Sequence, residues 1–216
     1  MTKLFTPPGW RTGTVARRFA SGTPSSYDSK SRTVNCVISV GSPVQRLFGT
    51  ERLRIHKDAV VLDRMNNSGI PLLDSHNQHG IDNALGRFAR VWFGTERGAP
   101  ALLGKIAFND TERGRVAEGM VARGEIQGIS AGYIVREWEI TDRKGKVIDP
   151  EVQRINFDDD LTFTATRWEV LEASLVSVPA DSAAVIRSFG GDTPQHVRNC
   201  LVRMQTRQRM HDRMRS

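Results

Sequence analysis

The sequence predicts a mainly β domain with a few helices, an α+β chain whose strands close into a barrel-like sheet. Period-two apolar alternation recurs between residues 31 and 178, and only one stretch carries clear helical spacing. The strands also follow one another without the regular strand–helix–strand alternation of a parallel α/β sheet.

Residues 31–40 open the domain. Val34, Cys36, Ile38 and Val40 alternate with Asn35 and Ser39, as in a half-buried strand, and Gly41-Ser42-Pro43 ends it. A shorter strand pattern lies within 51–63, and Asn66-Asn67-Ser68-Gly69 marks a turn. Residues 86–93 and 101–108 read as two more strands. Asn109-Asp110-Thr111-Glu112 then supplies capping side chains and acids for a first helical turn. Val116, Ala117, Met120 and Val121 follow at helical spacing, and Gly124 stops a helix of about 110–123. Strands return at 126–140 and 161–178, separated by a polar excursion holding Lys144-Gly145-Lys146 and Asp158-Asp159-Asp160. Pro179 ends the last strand, and 180–188 is expected to form a short helix.

The 216 residues suffice for one core, which at this size buries roughly 70% of the unfolded surface without a disulfide or metal. The net charge of +7 is unevenly spread: residues 1–33 carry +5, residues 187–216 carry +5, and 34–186 are left at −3. The expected organisation is a flexible basic leader at 1–30, a folded domain at 31–188 and a basic tail at 189–216. Basic ends act as electrostatic arms, whereas a folded nucleic-acid reader carries its basic stripe on the domain itself. The tail reads as a self-cleaved segment or as a signal that recruits the chain to a partner.

Apolar runs such as 173–178 fall far short of the ~20 residues of a membrane helix. Cys36 and Cys200 are too few for a disulfide scaffold and read as reduced thiols. Residues 1–18 contain no continuous apolar segment of a secretory signal, so an intracellular setting is expected.

Three segments carry candidate chemistry. Gly128-Ile129-Ser130-Ala131-Gly132 matches G-x-S-x-G, but the chain continues as a strand, and the only later histidines, His196 and His211, lie in the tail. A hydrolase elbow is therefore excluded. As a strand, Ile126, Gly128, Ser130, Gly132 and Ile134 share a face, and the flanking glycines leave the hydroxyl room for a peptide to approach within ~3 Å. Two readings stand here, a nucleophile and a glycine-rich bend at a barrel corner.

A serine needs a base within hydrogen-bond reach. Pro71-Leu72-Leu73-Asp74-Ser75-His76-Asn77-Gln78-His79 runs from an apolar anchor into a polar loop, which favours His76, with His79 and His56 as alternatives. Asp74, His76 and His79 lack further strong ligands nearby, so neither metal nor cofactor is expected. In Trp168-Glu169-Val170-Leu171-Glu172-Ala173-Ser174-Leu175-Val176-Ser177-Val178, strand register puts Glu172 on one face with Trp168, Val170, Ser174, Val176 and Val178. An unpaired carboxylate on that apolar face would be costly, so Glu172 is the candidate third member that orients the base, with Asp74 competing.

Together and in this order, Leu72-Leu73-Asp74-Ser75-His76, Gly128-Ile129-Ser130-Ala131-Gly132-Tyr133 and Leu171-Glu172-Ala173-Ser174-Leu175-Val176-Ser177-Val178-Pro179-Ala180 resemble the prohead (capsid maturation) serine proteases of tailed bacteriophages. That family resembles the herpesvirus assemblins in fold. The likeness covers about residues 31–188. It departs at Ala173, where a larger β-branched residue is usual, and in the longer excursion at 141–160.

The resemblance implies a serine endopeptidase with His76 as base, Ser130 as nucleophile and Glu172 as third member. The assemblins use a second histidine as third member, which keeps His79 in play. Implied oxyanion donors are backbone amides near Ser130 or around Arg167. Implied substrates are the scaffold, the N-terminal extension of the major capsid protein and the chain's own ends, cut inside the immature capsid in the host cytoplasm. Two rival readings are a catalytically inactive capsid-assembly or scaffold protein and a nucleic-acid-binding module that uses the basic ends.

Overall fold

A computed structural model describes residues 24–46, 48–150, 152–153, 160–181 and 183–187. The expected tail, most of the leader, Cys200, His196 and His211 lie outside these residues. The strands are β1 Thr33–Ser39, β2 Val44–Arg46, β3 Gly49–Leu53, β4 Val60–Val61, β5 Pro71–Asp74, β6 Ala84–Glu96, β7 Ala99–Phe108, β8 Gly128–Thr141 and β9 Thr162–Val176. Among the described residues two α-helices interrupt them, a single turn α1 at Asp63–Asn66 and α2 at Glu112–Ala122, with a 3-10 turn at Ile81–Asn83.

Local chemistry explains several of these limits. Thr111 caps α2 by accepting the Gly114 N–H at 3.1 Å. Arg97 and Gly98 both take positive φ between β6 and β7, the geometry that lets a two-residue turn follow the strands' twist. The stretch 51–63, read as one strand region, contains the end of β3, then β4 and the start of α1.

The sheet runs β1-β7-β6-β5-β9-β3-β2, with β4 and β8 also paired to β9. β9 is the spine. One edge pairs with β8 along its length, and the other takes β3, β4 and β5 in turn, all parallel. Val34, Cys36, Ile38, Leu72, Leu102, Ile106, Ile129 and Trp168 fill one continuous core. Burial pushes the Cys36 thiol up, so the cysteine acts as a small apolar side chain.

Two expectations are corrected. The sheet is an open half-barrel rather than a closed one, because among the described residues no strand of the sheet pairs with the outer edge of β8. The short helix expected at 180–188 is also absent from its described part. Val185 and Ile186 instead make isolated bridges to Gly128 and Cys36, which spans the mouth between β8 and β1. β-branched Val185 and Ile186 suit that extended backbone, and Ala184 and Ile186 are buried there.

Candidate active site

β9 does not keep the single face that simple alternation gives it. Gly132 pairs with Glu172 but Tyr133 pairs with Val170, so Leu171 is an extra residue on β9. Such a bulge re-aims every side chain beyond it. Trp168 and Val170 therefore face the core, as do Ala173 and Leu175 past the bulge, while Glu172 and Ser174 turn to the opposite side. Glu172 consequently stands beside a polar neighbour instead of on the apolar face expected for it.

β5 delivers the histidine. It lies between β6 and β9, with Leu73 opposite Ser174, and the chain turns immediately after Asp74. Ser75 and His76 both adopt left-handed backbone, at φ 50 and 62, which is uncommon for side chains of this size. Three hydrogen bonds hold the turn: Ser75 N–H to Leu175 C=O at 3.1 Å, His76 N–H to Ser174 Oγ at 2.9 Å, and Asn77 N–H to Asp74 C=O at 2.8 Å.

The imidazole meets the carboxylate there. His76 Nδ1 lies 2.6 Å from Glu172 Oε1, and Ser174 Oγ donates to Glu172 Oε2 at 2.7 Å. The Glu172 side chain is 4% exposed, so an unpartnered charge would be expensive; both of its oxygens are engaged. A proton on Nδ1 directed at the carboxylate leaves Nε2 as the acceptor nitrogen.

Ser130 enters from the neighbouring strand. It pairs directly across from Ser174, a spacing of roughly 5 Å between β-carbons, on the side from which Glu172 projects. His76 and Ser130 line one cavity of about 230 Å³. Ser130 Oγ has no hydrogen-bond partner among the described residues.

The flanking glycines are required by close approaches of their own. A β-carbon on Gly132 would stand 2.0 Å from Glu172 Oε1, and one on Gly128 would stand 2.4 Å from the Val176 carbonyl oxygen. Gly132 is thus the space that the Glu172 carboxylate occupies.

The alternatives lie elsewhere. Asp74 accepts from Arg113 at 2.7 Å and from Ser75 Oγ at 2.9 Å, not from the imidazole. His79 is exposed in the same loop, and its N–H donates to Asn77 Oδ1 at 3.0 Å. His56 pairs with Asp58 at 3.1 Å on the surface. Arg167 pairs with Glu137, seven residues along β9 from Ser174 and therefore roughly 23 Å away. Its backbone is too distant to serve the serine. Among the described residues no three His, Cys, Asp or Glu side chains group as a metal site.

Sequence reasoning missed several neighbours. Ser174 was legible as a lone hydroxyl two residues from a carboxylate in an apolar strand. The other wall of the cavity carries Glu51, which accepts from Arg46 Nε at 2.5 Å and from the Tyr133 hydroxyl. Burial, then the Glu51 hydrogen bond, pushes Tyr133 up to about 12. Asp181 lines the same cavity. Burial opposes its ionisation, but donors from Val40, Ala183, Ser42 and Ser39 outweigh that and hold it below the usual carboxylate range. No sequence spacing announces the Tyr133–Glu51 or the Ser39–Asp181 contact, because in each the partners are far apart in the chain.

Residues 42–195 match the family described as Caudovirus prohead serine protease, which takes in His76, Ser130 and Glu172. The chain belongs to that family. It is also 29% identical, over 161 residues, to a major capsid protein of Halomonas phage phiHAP-1, an alignment covering 74% of this chain and 23% of that relative. The chain thus spans about a quarter of the length of the curated relative it matches. No solved structure matches it.

Proposed function

We propose that this prohead protease family member is an active serine endopeptidase in which Ser130 is the nucleophile, His76 the general base and Glu172 the residue that orients the base. The observation that carries the reading is the 2.6 Å contact between His76 Nδ1 and Glu172 Oε1, with Ser130 across the strand pair. Ser130 Oγ attacks a peptide carbonyl while His76 Nε2 takes its proton. The same proton then passes to the leaving amine, and water activated by His76 hydrolyses the acyl-enzyme. A positioned base of this kind contributes about 10²–10⁴ in rate.

Family membership and the capsid-protein relative support substrates from an assembling phage shell: the scaffold, the N-terminal extension of the major capsid protein, and the chain's own ends. The site of action is the interior of the immature capsid in the host cytoplasm. The likeness to herpesvirus assemblins rests on the sequence motifs alone. Co-expression with the capsid precursor tests the reading. Mass spectrometry is expected to find trimmed capsid protein with the wild-type chain and intact precursor with Ser130→Ala; trimming that persists with Ser130→Ala overturns it. The name of the phiHAP-1 relative favours a second reading, an assembly protein without catalysis. That reading predicts intact precursor with both chains.

A further inference from the structure

The His76–Glu172 pair is the wall between two cavities. His76 lines the 230 Å³ cavity that holds Ser130, and Glu172 lines a larger one of about 850 Å³. Strand register fixes where the larger cavity lies, because residues paired directly across two strands project to the same side of a sheet. Ser130 pairs with Ser174, Ser174 with Leu73, and Pro71 with Arg87, while Pro71 and Leu73 share one face of β5. Ser130, Glu172, Leu73, Pro71 and Arg87 therefore follow one another across a single face of β8, β9, β5 and β6. The larger cavity sits over the β5–β6 end of that face.

Its charge is unbalanced. Arg64, Arg87 and Glu172 are the charged side chains of its lining. Glu172 is already engaged by His76 and Ser174. Arg87 is exposed and, among the described residues, makes neither a hydrogen bond nor an ion pair. Arg64 has only a share in one carboxylate: Glu169 Oε2 accepts from Arg136 at 2.6 Å, whereas Arg64 Nε stands 3.4 Å from Oε1 and completes no hydrogen bond. A guanidinium presents its donors as a planar fork that matches a carboxylate. An apolar occupant leaves these forks unmatched, and a basic one is repelled by them.

We propose that the larger cavity is a second binding site on the catalytic face, in which Arg87 and Arg64 take an Asp or Glu side chain of the polypeptide being cut. This rests on the peptidase reading above and adds a requirement on the substrate away from the bond that breaks. Arg87 stands three strand spacings from Ser130 across the sheet and two residues along it, roughly 16 Å. An extended chain rises about 3.3 Å per residue, so the acidic residue falls about five residues from the scissile bond. Glu172 lies between the two points and disfavours a nearer acid, because like charges repel.

The test uses the full chain and purified capsid precursor. Each precursor residue from about three to about seven positions from the cut bond, on either side, is set in turn to Glu, Gln or Lys. The forms are mixed equally, and mass spectrometry of the products gives their relative kcat/KM. At about the fifth position on one side, Glu is expected to be preferred to Gln about ten-fold. The ratio should fall to about one with Arg87→Ala, and Arg87→Glu should turn the preference toward Lys. Equal cutting of Glu and Gln forms at every position, or a Glu preference that survives Arg87→Glu, overturns the site and leaves the peptidase reading intact. If the wild-type chain does not cut the precursor at all, the peptidase reading and this inference fall together.

Discussion

Gly132→Ala tests the carboxylate's placement with the smallest possible change. The added methyl would stand 2.0 Å from Glu172 Oε1, whereas ordinary contact begins at 3.4 Å, so the carboxylate must retreat by about 1.4 Å or the strands must part. The imidazole contact is 2.6 Å, and a retreat of that size breaks it. Misplacing a catalytic group by about 1 Å costs on the order of 10², and loss of the orienting acid in a serine triad costs about 10⁴. Gly132→Ala is therefore expected to lower kcat/KM by about 10²–10⁴ with KM little changed, close to the effect of Glu172→Gln. Steady-state kinetics on the cleavage-site peptide, with circular dichroism to establish folding, gives the answer. A folded Gly132→Ala protein within three-fold of wild type, on an effect expected to be about 10² or more, would refute the placement argument.

Other expectations follow from the same contacts. Ser174→Ala removes a donor to Glu172 and the acceptor of His76 N–H, and urea denaturation should find a loss of about 1–3 kcal/mol together with reduced kcat/KM. Arg113 binds Asp74 at one mouth of the His76 loop and Asn83 at the other, so Arg113→Ala should lower kcat about ten-fold, with partial recovery in Arg113→Lys. Asp181 is held below its ordinary pKa, so its contribution is complete above about pH 4 and is lost as pH falls through the depressed folded-state value. Asp181→Asn should therefore flatten the fall of the melting temperature below about pH 4, and an unchanged slope would show that Asp181 carries no such linkage.

Much of this was readable from sequence because it is local. The apolar alternation of β1, the helical spacing and Thr111 cap of α2, and the order of the His76, Ser130 and Glu172 segments each depend on neighbours a few residues away. The bulge at Leu171 leaves one trace in the sequence, the adjacent apolar pair Val170-Leu171 that interrupts the alternation, and pairing with β8 shows that the extra residue falls there. Face assignments therefore failed beyond Val170, although Glu172 is buried and meets His76. Closure failed for a related reason. Period-two patterning marks strands but says nothing about which edge lacks a partner strand, and among the described residues that edge of β8 leaves the half-barrel open. Tyr133 reaches Glu51 and Arg46, and Asp181 reaches Ser39 and Val40, only across long sequence separations, so no motif reports them.

The central claim is that Ser130 is a nucleophile activated by the His76–Glu172 pair. Its most direct test is mass spectrometry of the full chain after treatment with a serine-directed phosphonate. One covalent adduct is expected, mapped to the peptide containing Ser130, absent from Ser130→Ala and formed far more slowly in His76→Ala. An adduct that maps elsewhere, or labelling of Ser130 at the same rate without His76, would contradict it.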